Sequence, residues 1–421
     1  TQKEGRLSVT TKDLVIHTDQ PKGKMVKVLF EPVAKLSDSL TYDITAWSLP
    51  YAHGIKAVAS KSKVSSRKDV FDRMVSNKPN KNAYAYLSKW NSIEDAEFLG
   101  QLLKNGIQVR FTEKDFRLEG NSYKAGTLII LRNDNKKNAS FDEQVTAIAN
   151  KLGRLTTPVF TGFVDSGKDF GSYSVNPINK QKVAVLSGDG TSSLSFGEIW
   201  HFFEKQLHYP LTILDTDYMS RINLDSYDVL ILPNGYYGSV ITDKVRTKIS
   251  DFAKNGGTVI AISGAMRSFA NKKGFSLKTK KIKKDDKKSE ANLTPYANQE
   301  RESANNLIAG AIFKSKVDNT HPLAFGYENE YFTMKRTSTT YDYLPNGNVA
   351  YFTKDAGNIS GFAGKNVLEK IPESLLFGEE RKGSGSFIYM VDNPLFRSFW
   401  ENGKLFFVNA IFFRNSSVIK K

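Results

Sequence analysis

The chain contains no cysteine, and this absence removes three kinds of chemistry together. Disulfide bonds, thiolate metal sites and cysteine nucleophiles all need a sulfhydryl group. Histidine is also scarce, so a histidine base or an imidazole metal ligand must come from a short list. The five histidines of the 421 residues are His17, His53, His201, His208 and His321.

The sequence also lacks the segments that would mark a membrane or nucleic-acid protein. It has no run of about 18 apolar residues and no charged-then-apolar leader, so these residues predict neither a membrane span nor a signal peptide. The formal net charge is +16, but residues 272–288 alone hold nine lysines and two aspartates, a net +7. Because no arginine-rich helix, zinc finger or RNP-like motif accompanies this charge, we expect no nucleic-acid partner.

What is present indicates a packed protein of more than one domain. Hydrophobic residues make up 40% and aromatic residues 12% of 421 residues, enough for two or three cores. We divide the chain into a β-rich docking segment (1–60), a polar linker (61–82), a first α/β domain (83–178) and a second α/β domain (179–421). In the docking segment, apolar runs at 14–16 and 25–30 predict strands.

The first α/β domain alternates strands and helices. Apolar runs at 83–87, 107–111 and 127–131 predict strands. Amphipathic stretches at 92–104 and 142–152 predict helices. This alternation predicts a mostly parallel sheet.

The second α/β domain repeats the alternation with shorter, more apolar strands. Strands are predicted at 182–186, 211–215, 228–233 and 258–262, with helices at 195–207 and 242–255 between them. Strands this apolar are typical of a sheet covered on both faces. The pattern predicts a flavodoxin-like, doubly wound parallel sheet. A strand at 386–391 and a closing helix at 395–413 complete the domain.

The first candidate for chemistry is Ser263, at the corner that follows the strand 258–262. A serine at such a strand-to-helix turn can act as a nucleophile when a base and an oxyanion hole lie beside it. The nucleophile-elbow pattern has glycine two residues before and two residues after the serine, whereas this chain has Ala261 and Ala265. The alanines predict a relaxed turn. A serine-dependent hydrolase or amidase using Ser263, with His321 or His201 as its base, remains the alternative from the enzyme class.

The second candidate is the pair His201 and Glu204, whose spacing is that of a zinc-binding His-x-x-Glu motif. The pair lies in a predicted helix among Trp200 and two phenylalanines, where a hydrogen-bonded histidine is the alternative explanation. His321 is available as a third ligand but has no fixed spacing to the pair. We expect no metal site in this chain.

A third candidate is the glycine-containing turn at 188–193, before the helix at 195–207. Amide groups at the start of a helix favour phosphate, but Asp189 would repel it, and neither a Walker lysine nor a dinucleotide-binding third glycine is present. A βα loop with a serine or threonine cap is the simpler interpretation. We expect no cofactor.

Three motifs give the chain a family resemblance. They are GEIWHFFE at 197–204, YDITAWSLP at 42–50, and DNPLFRSFW at 392–400 with NAIFF at 409–413. Together they resemble the C-terminal, non-peptidase region of large bacterial zinc carboxypeptidases of the M14 family, which ends in a class I glutamine-amidotransferase-like domain. The resemblance covers essentially the whole chain.

The resemblance implies an accessory role. It implies a periplasmic or secreted location and, upstream of this chain, a peptidase domain that binds zinc and removes C-terminal residues from peptides. His201 and Glu204 belong to the accessory region's own motif, so the resemblance gives them no zinc role. The amidotransferase-like fold places a cysteine at the corner where this chain has Ser263.

From these observations we expect a non-catalytic accessory region that supports the peptidase domain of the same polypeptide through Trp47, Trp200 and Trp400. A third hypothesis, from the binding class, makes residues 272–288 a contact to anionic surface polymers.

Overall fold

The computed structural model describes residue 10 and residues 13–32, 45–66, 75–281 and 295–413. The strand predicted over 25–30 is wrong, because helix α1 (Gly23–Phe30) occupies it. The run at 14–16 is not a strand either. The short helix α2 (Leu49–Ala52) begins with Pro50 in its first turn, where a missing amide hydrogen is tolerated. The described part of the docking segment is therefore helical and irregular, not β-rich.

The first α/β domain contains the strands and helices that the apolar pattern predicts, with a hairpin inserted. In chain order the elements are β1 (Ala85–Ser88), α3 (Ile93–Lys104), β2 (Val109–Thr112), β3 (Phe116–Leu118), β4 (Asn121–Tyr123), β5 (Leu128–Leu131), α4 (Phe141–Lys151), β6 (Thr157–Val159) and β7 (Val175–Ile178). Ser92 begins α3 with a capping box, its hydroxyl accepting from the amide of Asp95.

The predicted parallel sheet in this domain is wrong. Within residues 75–178, all described, the strand order is β6-β1-β5-β2-β7, and every neighbouring pair is antiparallel. Strand and helix do alternate as the pattern predicts, but β5 inserts between β1 and β2 and runs against both. This is the split βαβ arrangement of ferredoxin-like domains. The hairpin of β3 and β4 packs on one face of the sheet, in a core that includes Phe116, Leu118 and Tyr123.

The second α/β domain has the strands and helices predicted over residues 182–262, the strand predicted at 386–391 and further elements between them. In chain order they are β8 (Val183–Ser187), α5 (Ser193–Phe202), β9 (Leu211–Asp215), β10 (Val229–Leu232), α6 (Asp243–Lys254), β11 (Thr258–Ile262), α7 (Gln299–Ala304), β12 (Ala311–Val317), β13 (Glu330–Lys335), β14 (Asn348–Phe352), β15 (Asn358–Ser360), α8 (Lys365–Leu368), β16 (Ser374–Lys382), β17 (Gly385–Met390) and α9 (Glu401–Phe412). A π-helical turn, Phe203–Leu207, extends α5.

The large sheet is parallel in one half and antiparallel in the other. The parallel half has the order β9-β8-β10-β11-β17. The other half, which we call the sheet extension, continues through β16, β14, β12 and β13, each antiparallel to its neighbour. Three reversals separate β12 from β17, so β12 runs opposite to β11. The helix predicted over 395–413 begins later than expected, at Glu401, because Arg397 and Ser398 have left-handed backbone angles.

Helix α9 joins the two domains. Its residues from Gly403 to Phe412 are all buried, as expected of a helix that is apolar on every side. Asn409 accepts a hydrogen bond from the Trp90 indole at 2.8 Å and donates to the carbonyls of Leu323 and Phe325. Phe413 stacks on Phe111 of the first domain, with 4.7 Å between ring centroids.

Two sequence-level expectations concern surfaces. No helix in the described ranges is long and apolar enough to cross a membrane. Of the lysine-rich loop 272–288, residues 282–288 lie outside the described residues. The described part is hydrogen-bonded to the connection between β13 and β14, where the amide of Lys280 donates to the carbonyl of Thr340 at 2.9 Å.

Candidate functional site

The parallel strands β8, β10, β11 and β17 all end at one edge of the sheet, which we call the carboxyl edge. Open α/β sheets bind their ligands at this edge, because loops from several strands meet there. Ser263 follows β11 directly, and residues 392–398 follow β17. The candidate residues of the sequence therefore have to be judged by what they contact here.

Ser263 has a strained backbone, which the sequence did not predict. Its φ angle is 49°, in the left-handed region that non-glycine residues rarely adopt. The relaxed turn expected from Ala261 and Ala265 is therefore wrong, since both alanines are buried and the strain falls on the serine itself. Backbone strain of this kind is found at nucleophile corners, where a base and free backbone donors lie beside the nucleophile.

The neighbour that matters is Asn234, which follows β10. Its side-chain oxygen accepts a hydrogen bond from the amide of Gly264 at 2.9 Å. Its own amide donates to the Ser195 hydroxyl at 3.0 Å, and its carbonyl accepts from the amide of Ser192 at 2.9 Å. In a nucleophile elbow, the amide after the nucleophile is an oxyanion-hole donor. At this corner that donor is already used inside the protein.

Gly264 is tightly enclosed by the same loop. A Cβ atom at this position would lie 2.8 Å from the Asn234 side-chain oxygen and would overlap the carbonyl of Gly235. The corner is thus closed by packing as well as by hydrogen bonding. A developing oxyanion would have to displace the Asn234 side-chain oxygen to reach the Gly264 amide.

His321 lies away from Ser263. Its Nε2 atom is 3.1 Å from the carboxylate of buried Glu379, and its Nδ1 accepts from the amide of Leu323 at 3.2 Å. His321 follows β12, which runs opposite to β11, so the two residues lie at opposite edges of the sheet. The structure does not bring His321 to the candidate nucleophile.

His201, near the end of α5, faces a different serine. Its Nδ1 atom is 2.9 Å from the hydroxyl of Ser398. Glu204 is exposed in the π-helical turn after α5. His201 and Glu204 thus point to separate surroundings, and the structure does not pair them as the His-x-x-Glu spacing suggested.

The glycine turn at 188–193 is a capped βα loop, as the simpler interpretation expected. The Ser192 hydroxyl accepts from the amide of Ser195 and begins α5. The carbonyl of Gly190 accepts from the amide of Tyr236 at 2.8 Å, so this loop is fixed to the end of β10.

Glu198, one turn before His201, has a functional position that no motif in the sequence predicted. One carboxylate oxygen accepts from the backbone amide of Arg397 at 2.7 Å, and the other accepts from the side chain of Asn393. Burial raises the pKa of Glu198, opposed by these hydrogen bonds and by the charges of Arg336 and Arg397. Glu198 therefore anchors the segment after β17 to α5.

Two arginines and three aromatic residues cluster next to the segment that Glu198 binds. The guanidinium of Arg336 lies 5.0 Å from the centre of the Phe396 ring, and that of Arg397 lies 5.2 Å from it. Arg397 also lies 5.4 Å from the Trp47 ring, which stacks on Phe399 at 4.9 Å. We call Arg336, Phe396, Arg397, Trp47 and Phe399 the arginine platform. The only sequence signal for it was the density of aromatic residues and arginine in DNPLFRSFW.

A buried ion pair supports the platform from below. Lys335, at the end of β13, lies 3.3 Å from the carboxylate of Asp392, and both side chains are almost fully buried. Thr333 donates to the same carboxylate at 3.0 Å. Burial raises the pKa of Asp392, and Lys335 opposes this shift. Because β13 is at the far end of the sheet order from β17, this pair shows that the sheet extension curls back to the carboxyl edge.

The three tryptophans proposed for docking differ in exposure. Trp47 is 40% exposed and Trp200 is 47% exposed, so both can contact another surface. Trp400 is completely buried, and its indole donates to the carbonyl of Phe332 at 3.2 Å. The expectation that Trp400 contacts another domain is therefore wrong.

No protein-family model matches the chain, and no curated protein matches it. A ThuA-like protein from Parabacteroides merdae shares 12% identity and a TM-score of 0.37 over 57% of this chain and 92% of its own. A protein from Thermoplasma acidophilum that is described as part of a GMP synthase shares 14% identity and a TM-score of 0.34, over 55% of this chain and 92% of its own. A glutamine amidotransferase from Thermotoga maritima shares 10% identity and a TM-score of 0.31, over 51% and 76%.

The structural neighbours thus include ThuA-like and glutamine amidotransferase folds, and this chain is a mixed α/β protein with a partly parallel sheet. The TM-scores are low, so the similarity supplies no argument about what the chain does. These comparisons do not bear on the resemblance to M14 carboxypeptidases.

Proposed function

We propose that this chain is a non-catalytic accessory region of an exported, M14-like zinc carboxypeptidase. The observation that carries its non-catalytic part is the hydrogen bond from the Gly264 amide to the Asn234 side chain. Acyl transfer needs free donors aimed at the position of the oxyanion, and the donor next to Ser263 is engaged. The strained serine is then a feature of the fold's corner, not an active nucleophile.

The strand order supports a flavodoxin-like, amidotransferase-like ancestry for the second domain. Numbered along the chain, β9-β8-β10-β11-β17 is the order 2-1-3-4-5 of flavodoxin-like sheets. Ser263 follows the fourth strand of that order, the corner to which the resemblance assigns the amidotransferase cysteine.

The parent enzyme, its zinc and its export follow from the resemblance carried by the motifs at 42–50, 197–204 and 392–400. The structure adds that these motifs meet: Trp47 stacks on Phe399, and Glu198 binds the Arg397 amide. Exposed Trp47 and Trp200 are the residues of these motifs through which the chain would contact the peptidase domain.

The test of the non-catalytic role is active-site labelling. The purified 421-residue chain is treated with a fluorophosphonate probe and digested, and labelled peptides are found by mass spectrometry. We expect no label on Ser263. Stoichiometric labelling that disappears in Ser263→Ala would make the chain a serine hydrolase and overturn the proposal.

Two further measurements test the parentage. The gene upstream of the Thr1 codon should encode an M14 domain preceded by an export signal. Elemental analysis of the purified chain should find less than one tightly held zinc per molecule. One zinc per chain would contradict an accessory role, and an upstream region without a peptidase domain would remove the proposed parent.

A further inference from the structure

We propose that the arginine platform binds the carboxylate of an organic ligand, with Arg336 and Arg397 as its binding groups. This inference does not need the M14 parentage, and its test uses this chain alone, in which Trp47 is 40% exposed. A failed labelling test and a failed binding test are therefore distinguishable outcomes.

Two like charges, those of Arg336 and Arg397, are placed on one aromatic ring. Both guanidinium groups lie close to the Phe396 ring, at 5.0 and 5.2 Å from its centre. Both side chains are exposed, and among the described residues neither guanidinium forms an ion pair or donates a hydrogen bond. Two cations held on one ring repel each other, and an anion between them would relieve the repulsion.

The backbone that carries Arg397 is strained and held in place. Arg397 and Ser398 have φ angles of 47° and 58°, two consecutive left-handed residues without glycine. Each such residue costs about 1–3 kcal/mol and persists only when its surroundings fix it. Glu198 fixes the Arg397 amide, and buried Lys404 donates to the Ser398 carbonyl at 2.9 Å. The molecule thus fixes this turn from two sides, while the exposed Arg397 guanidinium contacts aromatic rings and has no hydrogen-bond acceptor among the described residues.

The charges around the platform do not cancel. Glu198, in the described part of the chain, is a carboxylate on which both guanidinium charges act, and it is turned inward to the Arg397 amide and Asn393. Two guanidinium groups and one glutamate leave a net positive charge, which suits a ligand with a single negative charge. Guanidinium groups match the planar fork of a carboxylate.

The surface next to Arg397 has an apolar part and a polar part. Trp47 stacks on Phe399 and remains 40% exposed, so an apolar face adjoins the Arg397 guanidinium. Ser398, the next residue after Arg397, forms a polar pair with His201 at 2.9 Å. A ligand with a carboxylate and an apolar or aromatic body fits this arrangement better than a bare inorganic anion does.

The test is calorimetric titration of the full chain at constant ionic strength. The probe is benzoate, which carries a carboxylate on an aromatic ring, and benzamide is its neutral counterpart. We expect benzoate to bind with a dissociation constant on the order of 1 mM, the scale of so small a ligand. Benzamide should bind at least about tenfold more weakly, because it lacks the charge.

Variants locate the binding. Arg397→Gln and Arg336→Gln should each weaken benzoate binding about tenfold. The matched control is Arg221→Gln, another exposed arginine, which stacks on Tyr218 at 5.4 Å after the distant strand β9. It should leave binding unchanged. All three arginines are exposed, so circular dichroism should show folded variants.

Three results would overturn the inference. One is the absence of benzoate binding to the wild-type chain at about ten times the expected dissociation constant. Another is equal loss in Arg221→Gln, which would indicate nonspecific charge. The third is tighter binding of inorganic phosphate than of benzoate, which would assign the platform to phosphate instead.

Discussion

Two corners at the carboxyl edge of one sheet treat their polar groups in opposite ways. After β11, the strained Ser263 is followed by an amide that the Asn234 side chain occupies, and packing closes the turn. After β17, the strained turn at Arg397 and Ser398 presents the Arg397 guanidinium outward, while Glu198 accepts from the Arg397 amide and His201 pairs with the Ser398 hydroxyl. The comparison teaches that strain alone does not identify a site. What distinguishes the two corners is whether the strained turn leaves donors free.

We call the turn at Arg397 and Ser398 the open corner and the turn at Ser263 and Gly264 the closed corner. The largest loss of stability is expected from breaking the buried Lys335–Asp392 pair beneath the open corner. Lys335→Met leaves the Asp392 carboxylate buried without its cation and should lower the free energy of unfolding by about 3–5 kcal/mol. Urea denaturation measures this loss. Lys316→Met is the control, because Lys316 is exposed and its pair with Glu330 spans 3.6 Å. It should change stability by less than about 1 kcal/mol.

The double variant Lys335→Met, Asp392→Leu sharpens the same prediction. Without either charge, most of the lost stability should return, since no uncompensated ion remains. A single variant Lys335→Met with the stability of the wild type would show that this pair does not hold the open corner.

The closed corner should resist any added atom. Gly264→Ala places a Cβ 2.8 Å from the Asn234 side-chain oxygen and should lower the free energy of unfolding by about 1–3 kcal/mol. Gly197→Ala is the matched control in helix α5, where a Cβ would meet nothing within 4 Å. It should stabilise the protein by about 0.5–1 kcal/mol. Equal effects at the two glycines in denaturation curves would mean that the β11 corner has room.

These two corners also show how far the sequence alone reaches. Apolar periodicity predicted the parallel strands and most helices, because burial on both faces leaves a strong local pattern. It failed for the first sheet, since the position of β5 between β1 and β2 is a long-range choice that no local pattern records. It failed at Met25–Phe30 as well, where a short apolar run suits a strand or a helix equally.

The candidate site was harder to predict than the fold. Ser263 was recognised as a corner, but the amide after it is bound by Asn234, which follows another strand and lies 29 residues before Ser263 in the sequence. The arginine platform joins Trp47, Arg336 and Arg397, which are brought together only by the curl of the sheet. The His-x-x-Glu spacing drew attention to His201 and Glu204, whereas the contact that forms is between His201 and Ser398.

Opening the closed corner should have a moderate effect. Asn234→Ala removes the acceptor of the Gly264 amide and should lower the free energy of unfolding by about 1–2 kcal/mol. Chemical denaturation measures the loss. Fluorophosphonate labelling of Ser263 should stay negative in this variant, because His321 lies at the opposite edge. Labelling that appears only in Asn234→Ala would show that Asn234 suppresses a competent nucleophile.

The smallest effect concerns pH. Burial raises the pKa of Glu198, so between its unfolded and folded pKa values the folded protein holds a proton that the unfolded chain has released. The free energy of unfolding therefore falls as the pH rises through that window, which lies above 4.5. Glu198→Gln cannot titrate and should flatten this part of the profile.

Denaturation curves over a pH series compare Glu198→Gln with the wild type. Glu204→Gln, at an exposed position further along the same segment, is the control and should keep the wild-type profile. Parallel profiles for the wild type and Glu198→Gln would show that Glu198 is as well solvated as a surface glutamate.

The most direct measurement is hydrogen exchange at the Gly264 amide, followed by NMR on deuterated protein. If the Asn234 side chain holds this amide, exchange should be slow in the wild type and clearly faster in Asn234→Ala, with neighbouring strand amides of β11 unchanged. Fast exchange at Gly264 in the wild type, at the rate found in Asn234→Ala, would mean that the donor beside Ser263 is free and would contradict the non-catalytic account.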